Sequence, residues 1–345
     1  MNKNDFLLLK KLSEAFGPSG REDAVREIIL DSIKGQENPI KIDGIGNLIV
    51  EKGDVSRLII TAHMDEVGFM LTGYCENGSL EFDQIGGIIP SILPSKVVSL
   101  ENGRFFGVIG ATPIHFQTKS KERAELHYED LCIDFGFDDI KEAKEHVSIG
   151  DFAVFDAEFD YFDKSRHFLK GKALDNRIGC YLLIKLIQSK AVQNATFAFT
   201  VQEECGLNGA KAILQKKSFD YGIALDTTTA NDLPNLSPDR RICGTDRGAV
   251  ISFADGATVY RRNFIRSIMQ GLESEGIPYQ TKSAVVGGNE ASAMEKSGEG
   301  VIPISLSVPC RYIHGPIGLV SERDIEYSQK ALAKIIAVLE GNRNV

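Results

Sequence analysis

Apolar positions recur along this chain in two periods. Phe6, Leu8, Leu9 and Leu12 follow a helical spacing that stops at Gly17-Pro18-Ser19-Gly20. Ser19 and Glu22, three apart, read as a capping box that opens a second helix with Val25, Ile28, Ile29 and Ile33 inward. Residues 41–53 alternate around glycine turns and predict a β-hairpin. The run Leu58-Ile59-Ile60 predicts a buried strand leading to His63 and Asp65, which share a face on extended backbone. A second strand alternates Phe197, Phe199 and Val201, then meets the adjacent acids Glu203 and Glu204 before a glycine turn into a helix. Ile223-Ala224-Leu225 leads to Asp226, and a last β-type run from 301 leads to a turn holding His314. Asp175 stands just before an amphipathic helix carrying Ile178, Tyr181, Leu182 and Leu186. The C-terminal helix, capped by Ser321 and Asp324, turns Ile325, Leu332, Ile335, Ile336 and Leu339 inward.

The texture changes between 68 and 165. Glycines punctuate short segments such as Lys96–Leu100 and Phe105–Gly110, which predicts a small all-β unit inserted into the chain. Residues 118–130 are highly charged and read as an exposed loop, and 138–146 as one short helix. His115, His127, His146 and His167 lie in this block or at its edge and are read as non-ligands. The α/β pattern on either side predicts one domain built from 1–67 and 166–345, with 68–165 as the insert.

Composition narrows the possibilities. The chain has 345 residues, 43% of them hydrophobic, and a formal net charge of −9. That balance argues against a nucleic-acid groove, which needs clustered Lys and Arg. No apolar stretch approaches the ~20 residues of a membrane span. The N-terminal apolar run is broken by lysines and does not read as a signal peptide. Six scattered cysteines without a CxxC pair suit a reducing, cytoplasmic setting.

Two adjacent acids at the mouth of a buried strand raise each other's pKa unless a cation or shared proton intervenes. Alone, Glu203-Glu204 also reads as a solvated pair, Asp175 as an N-cap worth about 1 kcal/mol, and His63 as a satisfied strand-end histidine. Together the placements point elsewhere. His63, Glu203-Glu204, Asp226 and His314 each follow a strand-like run, and α/β sheets gather ligands beyond the carboxyl ends of their strands. Two histidines, three carboxylates and a spare carboxylate suffice for two divalent ions, and nitrogen and oxygen donors without thiolate suit Zn, Co or Mn.

The segments HMDEVGFM, GKALDNRIG, TVQEECGLNGA, ALDTT and RYIHGP occur here in order. In order and spacing they resemble the tetrahedral aminopeptidases, dinuclear metallopeptidases known as glutamyl, leucyl or deblocking aminopeptidases and sometimes as cellulase M. LKKLSEAFGPSGREDAVREII, FFGVIGATPIH and SERDIE extend the resemblance over nearly the whole chain. It implies a mixed-sheet α/β/α metallopeptidase domain with a small PDZ-like β-barrel inserted. It implies that His63, Glu204, Asp226 and His314 bind two divalent ions bridged by Asp175, that Glu203 is the general base, and that Asp65 orients His63. It further implies peptide substrates cut from the free N-terminus, and dimers that assemble into a hollow dodecamer. The turn Asn289-Glu290-Ala291-Ser292 departs from the Thr-Asp-Ala-Gly frequent among relatives, and ICGTDRGAVISFADG departs from a Gly-Lys-Gly-Pro form, so no residue preference is carried over.

Other readings use the same residues. A carboxypeptidase would need a cation for the substrate C-terminus, for which Arg311 is the candidate. A deacylase would prefer N-blocked substrates. A glycosidase would work with two carboxylates free of metal. A binding protein would have no need of the spare acid Glu203.

Overall fold

The computed structural model describes residues 1–36, 38–53, 57–112, 126–189, 191–237 and 240–342. His115 and the part of the charged stretch at 118–125 lie outside these residues. The chain opens with α1 (Lys3–Glu14) and α2 (Asp23–Ser32), which bury Leu9, Leu12, Val25 and Ile29. The expected hairpin follows as β1 (Ile40–Ile42) and β2 (Leu48–Lys52), antiparallel, and β3 (Leu58–His63) is buried at every position.

Six antiparallel strands then close a barrel: β4 (Gly68–Tyr74), β5 (Leu80–Ile85), β6 (Val97–Leu100), β7 (Phe105–Ala111), β8 (Leu131–Asp134) and β9 (Phe152–Phe155), in the order β4-β5-β8-β7-β6-β9. Helix α3 (Ile140–His146) lies between β8 and β9, and Phe69, Phe82 and Phe155 meet edge to face inside the barrel. The inserted unit is thus a complete domain with its own core, separate from the main one.

The chain returns through β10 (Asp160–Asp163) and β11 (Phe168–Gly171). Strand β10 falls within the stretch 68–165 read as insert, yet it pairs with β11 in the large sheet. Then come α4 (Leu174–Ser189), β12 (Ala195–Thr200), α5 (Asn208–Leu214), β13 (Tyr221–Thr229), β14 (Ala249–Ile251), α6 (Arg262–Ser274), β15 (Tyr279–Thr281), α7 (Ala291–Glu295), β16 (Ile302–Arg311), β17 (Gly318–Ser321) and α8 (Glu322–Asn342). The mixed sheet runs β1-β2-β12-β3-β13-β16-β17-β11-β10, with β14 and β15 paired off β16. Its centre, β12-β3-β13-β16, is parallel, so four strands end on one side. Buried on both faces, these strands read as near-continuous apolar runs, as central parallel strands do.

Of the expected capping residues, Ser321 accepts the N–H of Arg323 at 3.3 Å at the start of α8, whereas Ser19, Glu22 and Asp324 are engaged elsewhere. Ser19 Oγ donates instead to Asp65 at 2.6 Å, and Glu22 accepts the N–H of Gly20 and of Gln202. Asp324 accepts the backbone N–H of Asp246 and of Gly248, both at 2.6 Å, and pins a loop rather than its own helix. In both cases a tertiary donor or acceptor outcompetes the local one.

Candidate metal centre

The four parallel strands deliver their C-terminal residues to one place. His63 ends β3 and pairs in register with Thr200 at the end of β12, just before Glu203 and Glu204. Asp226 lies within β13, opposite Ser307 of β16, and His314 follows β16 by three residues. Asp175 comes from the start of α4, where Asp175 and Asn176 leave helical geometry and the peptide between them is cis.

These side chains converge. Nε2 of His63 lies 3.2 Å from Oδ1 of Asp175, 3.7 Å from Oδ1 of Asp226 and 4.0 Å from Oε2 of Glu203. Nε2 of His314 lies 3.3 Å from Oδ2 of Asp175 and 3.3 Å from Oε1 of Glu204. Asp175 therefore presents one oxygen to each histidine. Ligand atoms of His63, Asp175 and Glu204 fall within 4.8 Å of one another, as do those of His63, Glu203 and Asp226. These two groups share His63 and omit His314, whereas the direct contacts divide the carboxylates between the two imidazoles. A ligand set is defined by what each donor atom faces, which places His63 with Asp226, His314 with Glu204, and Asp175 against both.

Support for the cluster is dense. Asp65 is fully buried; its Oδ1 lies 3.3 Å from Nδ1 of His63 and its main-chain oxygen 3.2 Å from the same nitrogen. The Asp65 carboxylate also accepts the N–H of Glu203 at 3.0 Å and of Glu204 at 3.1 Å. One acid thus fixes both His63 and the turn that carries the glutamates. Nδ1 of His314 faces the carbonyl oxygen of Gly87 at 2.8 Å, a contact supplied by the inserted domain. Carboxylate and carbonyl partners of this kind fix the tautomer and aim of metal-ligating histidines.

Sequence reasoning missed three supporting residues. Asn176 donates to the carbonyl of Leu225 at 2.7 Å and accepts from Gly179 N–H at 3.0 Å, tying the turn of Asp175 to β13 next to Asp226. A Cβ on Gly179 would come within 2.2 Å of Asn176 Oδ1, which accounts for glycine there. Arg177, fully buried, donates to the carbonyls of Met64, Leu12, Ala15 and Gly17 and to Glu66. Lys172 joins Glu66 at 2.6 Å. No periodicity or spacing signals these partners, because the contacts to Leu225, Met64, the first seventeen residues and Glu66 span distant parts of the chain.

The electrostatics are those of a crowded acidic cluster. Burial pulls His63 down, but Glu203, Asp175, Asp226 and Asp65 outweigh it and hold the imidazole well above its ordinary value. Burial likewise opposes His314, yet Asp175 and Glu204 raise it to about 11. Burial, then Asp226 and Glu204, push Glu203 well above the carboxylate range. Burial and Asp175 push Asp226 up to about 7, and burial raises Glu204 as well. Asp175 moves the other way: burial opposes ionisation, but the two histidines overcome it. Oδ1 of Asp175 is buried without a hydrogen bond. A set of histidine and carboxylate donors with such excess negative charge and an orphaned inward oxygen fits divalent cations.

The remaining expectations sort simply. Of the described histidines read as non-ligands, His127 caps a short turn at Tyr128–Asp130, His146 stacks on Phe137, and His167 meets Glu322 at 3.0 Å. Arg311 is held by Asp232 at 2.6 Å and lies over Phe168, so it is engaged away from the cleft. The cleft itself encloses about 420 Å³ and is lined beyond the cluster by Thr227, Ser252, Asp255, Lys282, Asn289 and Ser307, among others. No helix among the described residues is long and apolar enough to cross a membrane.

Comparison with known proteins adds to this geometry. Residues 46–331 match the family described as M42 glutamyl aminopeptidase. A lysyl aminopeptidase of Pyrococcus furiosus is 30% identical over 347 residues, covering 96% of each chain. The TET aminopeptidase of Thaumarchaeota archaeon SCGC AB-539-E09 superposes with a TM-score of 0.92 at 27% identity, over 98% of each chain. The TET1 peptidase of Pyrococcus horikoshii, which can assemble into a tetrahedron or a large octahedral shell, superposes at 0.83 with 33% identity, over 96% of this chain and 98% of that one. With its mixed sheet, inserted barrel and convergent histidine–carboxylate cluster, the chain belongs to the M42 glutamyl aminopeptidase family and is a metalloaminopeptidase.

Proposed function

We propose that this chain removes N-terminal residues from peptides at the cluster of His63, Asp175, Glu203, Glu204, Asp226 and His314. The observation that carries the reading is the division of Asp175, one oxygen toward each histidine. In this reading His63 and Asp226 hold one divalent ion and His314 and Glu204 the other, with Asp175 shared. Zn or Co suits these donors, and Mn is compatible. When bound, such a pair of ions supplies Lewis acidity and acidifies water.

The chain's own residues do the rest. Glu203, left over by this ligand division, accepts a proton from the attacking water and passes it to the amine nitrogen as the peptide C–N bond breaks. The water oxygen stays on the new carboxylate, so one peptide bond and one water become an acid and an amine. Asp65 holds His63 and the glutamate turn in place. The ring of carboxylates favours a substrate end that is cationic, a free α-ammonium. The carboxypeptidase alternative loses its candidate cation, because Arg311 is occupied by Asp232.

The same reading extends to assembly and setting. Val97, Phe106 and Val108 are exposed on β6 and β7 of the barrel, an apolar patch suited to pairing with a second copy. Dimers built there, assembling into a dodecamer in the cytoplasm, complete the proposal.

The test is chelator-stripped protein reloaded with Zn, Co or Mn and assayed on aminoacyl-p-nitroanilides, short peptides and their N-acetylated forms. Metal-restored release from free-amine substrates alone supports the reading. Activity confined to N-acetylated substrates replaces it with a deacylase.

A further inference from the structure

Next to the cleft lies a second cavity of about 570 Å³, lined by Leu207, Lys211, Lys216, Lys217, Ser292 and Lys296, among others. Its volume falls in the range of ligand sites, roughly 300–1,000 Å³. Four lysines around one cavity reverse the local sign of a chain whose net charge is −9. Two of the four are committed. Lys211 donates to the carbonyl of Gly206 at 2.8 Å, and Lys217 meets Glu51 at 3.3 Å and Thr196 at 3.0 Å. Lys216 and Lys296 are exposed, and neither ammonium group has a hydrogen-bond or ion-pair partner among the described residues. The wall behind them is apolar, with Leu214 and Ala293 buried. The cavity thus offers two free ammonium groups.

Its position gives it a direction. Leu207 lines both this cavity and the metal cleft. The N–H of Leu207 donates to the carbonyl oxygen of Glu203 at 2.9 Å, so the wall between the two spaces is anchored to Glu203. The leaving amine receives its proton from Glu203, and residues C-terminal to the cut bond therefore depart on that side.

We propose that the basic cavity receives the segment of substrate downstream of the cut bond and recognises its carboxylates, favouring short acidic peptides. This rests on the aminopeptidase reading above. Carboxylates reach the cavity from two sources, acidic side chains or the peptide's own C-terminus, and both meet Lys216 and Lys296 by charge-assisted hydrogen bonds.

The experiment uses metal-loaded wild type and the Lys216→Ala/Lys296→Ala double variant. Substrates share one N-terminal residue, followed by Glu-Glu-Ala or Gln-Gln-Ala, each with a free or an amidated C-terminus. The matching p-nitroanilide, which has no downstream residues, is the reference. In wild type, kcat/KM relative to the p-nitroanilide is expected to be about tenfold higher for the doubly acidic free peptide than for its amidated glutamine counterpart, chiefly through KM. The double variant loses that preference, and added salt erodes it in wild type. A Lys216→Glu/Lys296→Glu variant shifts the preference toward lysine-bearing peptides. Loss on the glutamine change alone assigns the site to side chains, and loss on amidation alone to the C-terminus. Equal rates on all four peptides in wild type, or a preference that survives in the double variant, overturns the proposal. Wild type inert toward p-nitroanilide and peptides alike overturns the aminopeptidase reading, and this one with it.

Discussion

Asp65 accepts the backbone N–H of Glu203 at 3.0 Å through the same carboxylate oxygen that lies 3.3 Å from Nδ1 of His63. The strand end and the glutamate turn are therefore held by one group. Asp65→Asn keeps the shape but replaces one acceptor oxygen with a donor, which then faces an N–H. Metal affinity or kcat is expected to fall about 10–100-fold, the usual cost of losing such a partner. Chelator competition and steady-state kinetics would separate the two losses, and wild-type values in both would remove Asp65 from this role.

Glu203→Gln removes the proposed proton carrier and keeps its volume. We expect kcat to fall about 10²–10⁴-fold with both ions retained. Metal analysis of the purified variant is the control, since metal loss would instead make Glu203 a ligand.

Gly179→Ala tests the support of Asp175. The added methyl would meet Asn176 Oδ1 at 2.2 Å and push Asn176 off the Leu225 carbonyl. Metal affinity should drop about tenfold or more although Gly179 touches no proposed ligand. Undiminished affinity would mean that Asn176 does not set the position of Asp175.

Arg177→Met removes the donor to four main-chain carbonyls and leaves the buried Glu66 with Lys172 as its one remaining cation among the described residues. Breaking a buried charge network from one side typically costs about 3–5 kcal/mol. Urea unfolding of metal-loaded protein would read it, and a loss below about 1 kcal/mol, the range of surface ion pairs, would contradict it.

Asp324 carries a pH dependence. Burial pushes its carboxyl up to about 7, against the two backbone N–H groups that favour the charged form. At pH 5 the folded group keeps its proton while the unfolded chain has shed it. Stability from this group is therefore fully present below about pH 4, the unfolded value, and is lost as pH rises through about 7. In urea titrations the unfolding free energy of wild type minus that of Asp324→Asn should fall as pH rises from about 4 to about 7 and then level off. Wild type gaining stability relative to Asp324→Asn as pH rises would reverse the assignment.

Much of the fold was legible because the central parallel strands are near-continuous apolar runs, and β3, β12 and β13 are interrupted by no charged residue before His63, Glu203 and Asp226. That is how His63, Glu203 and Asp226 could be placed from sequence, and the structure brings them together with Asp175 and His314. The supporting residues were not legible. Ser19 and Asp324 look like helix caps by local spacing, but a local pattern carries no information about a distant partner that binds better. Arg177 looks like an ordinary helix position and is instead fully buried among carbonyls from α1, the loop after it and Met64. The edge of the insert was also hidden, since nothing in the four residues of β10 marks them as pairing in the large sheet and not in the barrel.

The carbonyl of Gly87 facing His314 ties the inserted domain to its host. A domain inserted into a loop can usually be exchanged, trimmed or lost without harming its host. Here the graft also reaches back to steady a side chain of the host's candidate metal centre. Gly86 beside it comes close enough to Glu204 that a methyl would sit 3.1 Å from that residue's Cβ. A minimal enzyme cut down to the sheet and helices would inherit a histidine that keeps Asp175 and Glu204 at Nε2 but has lost its partner at Nδ1.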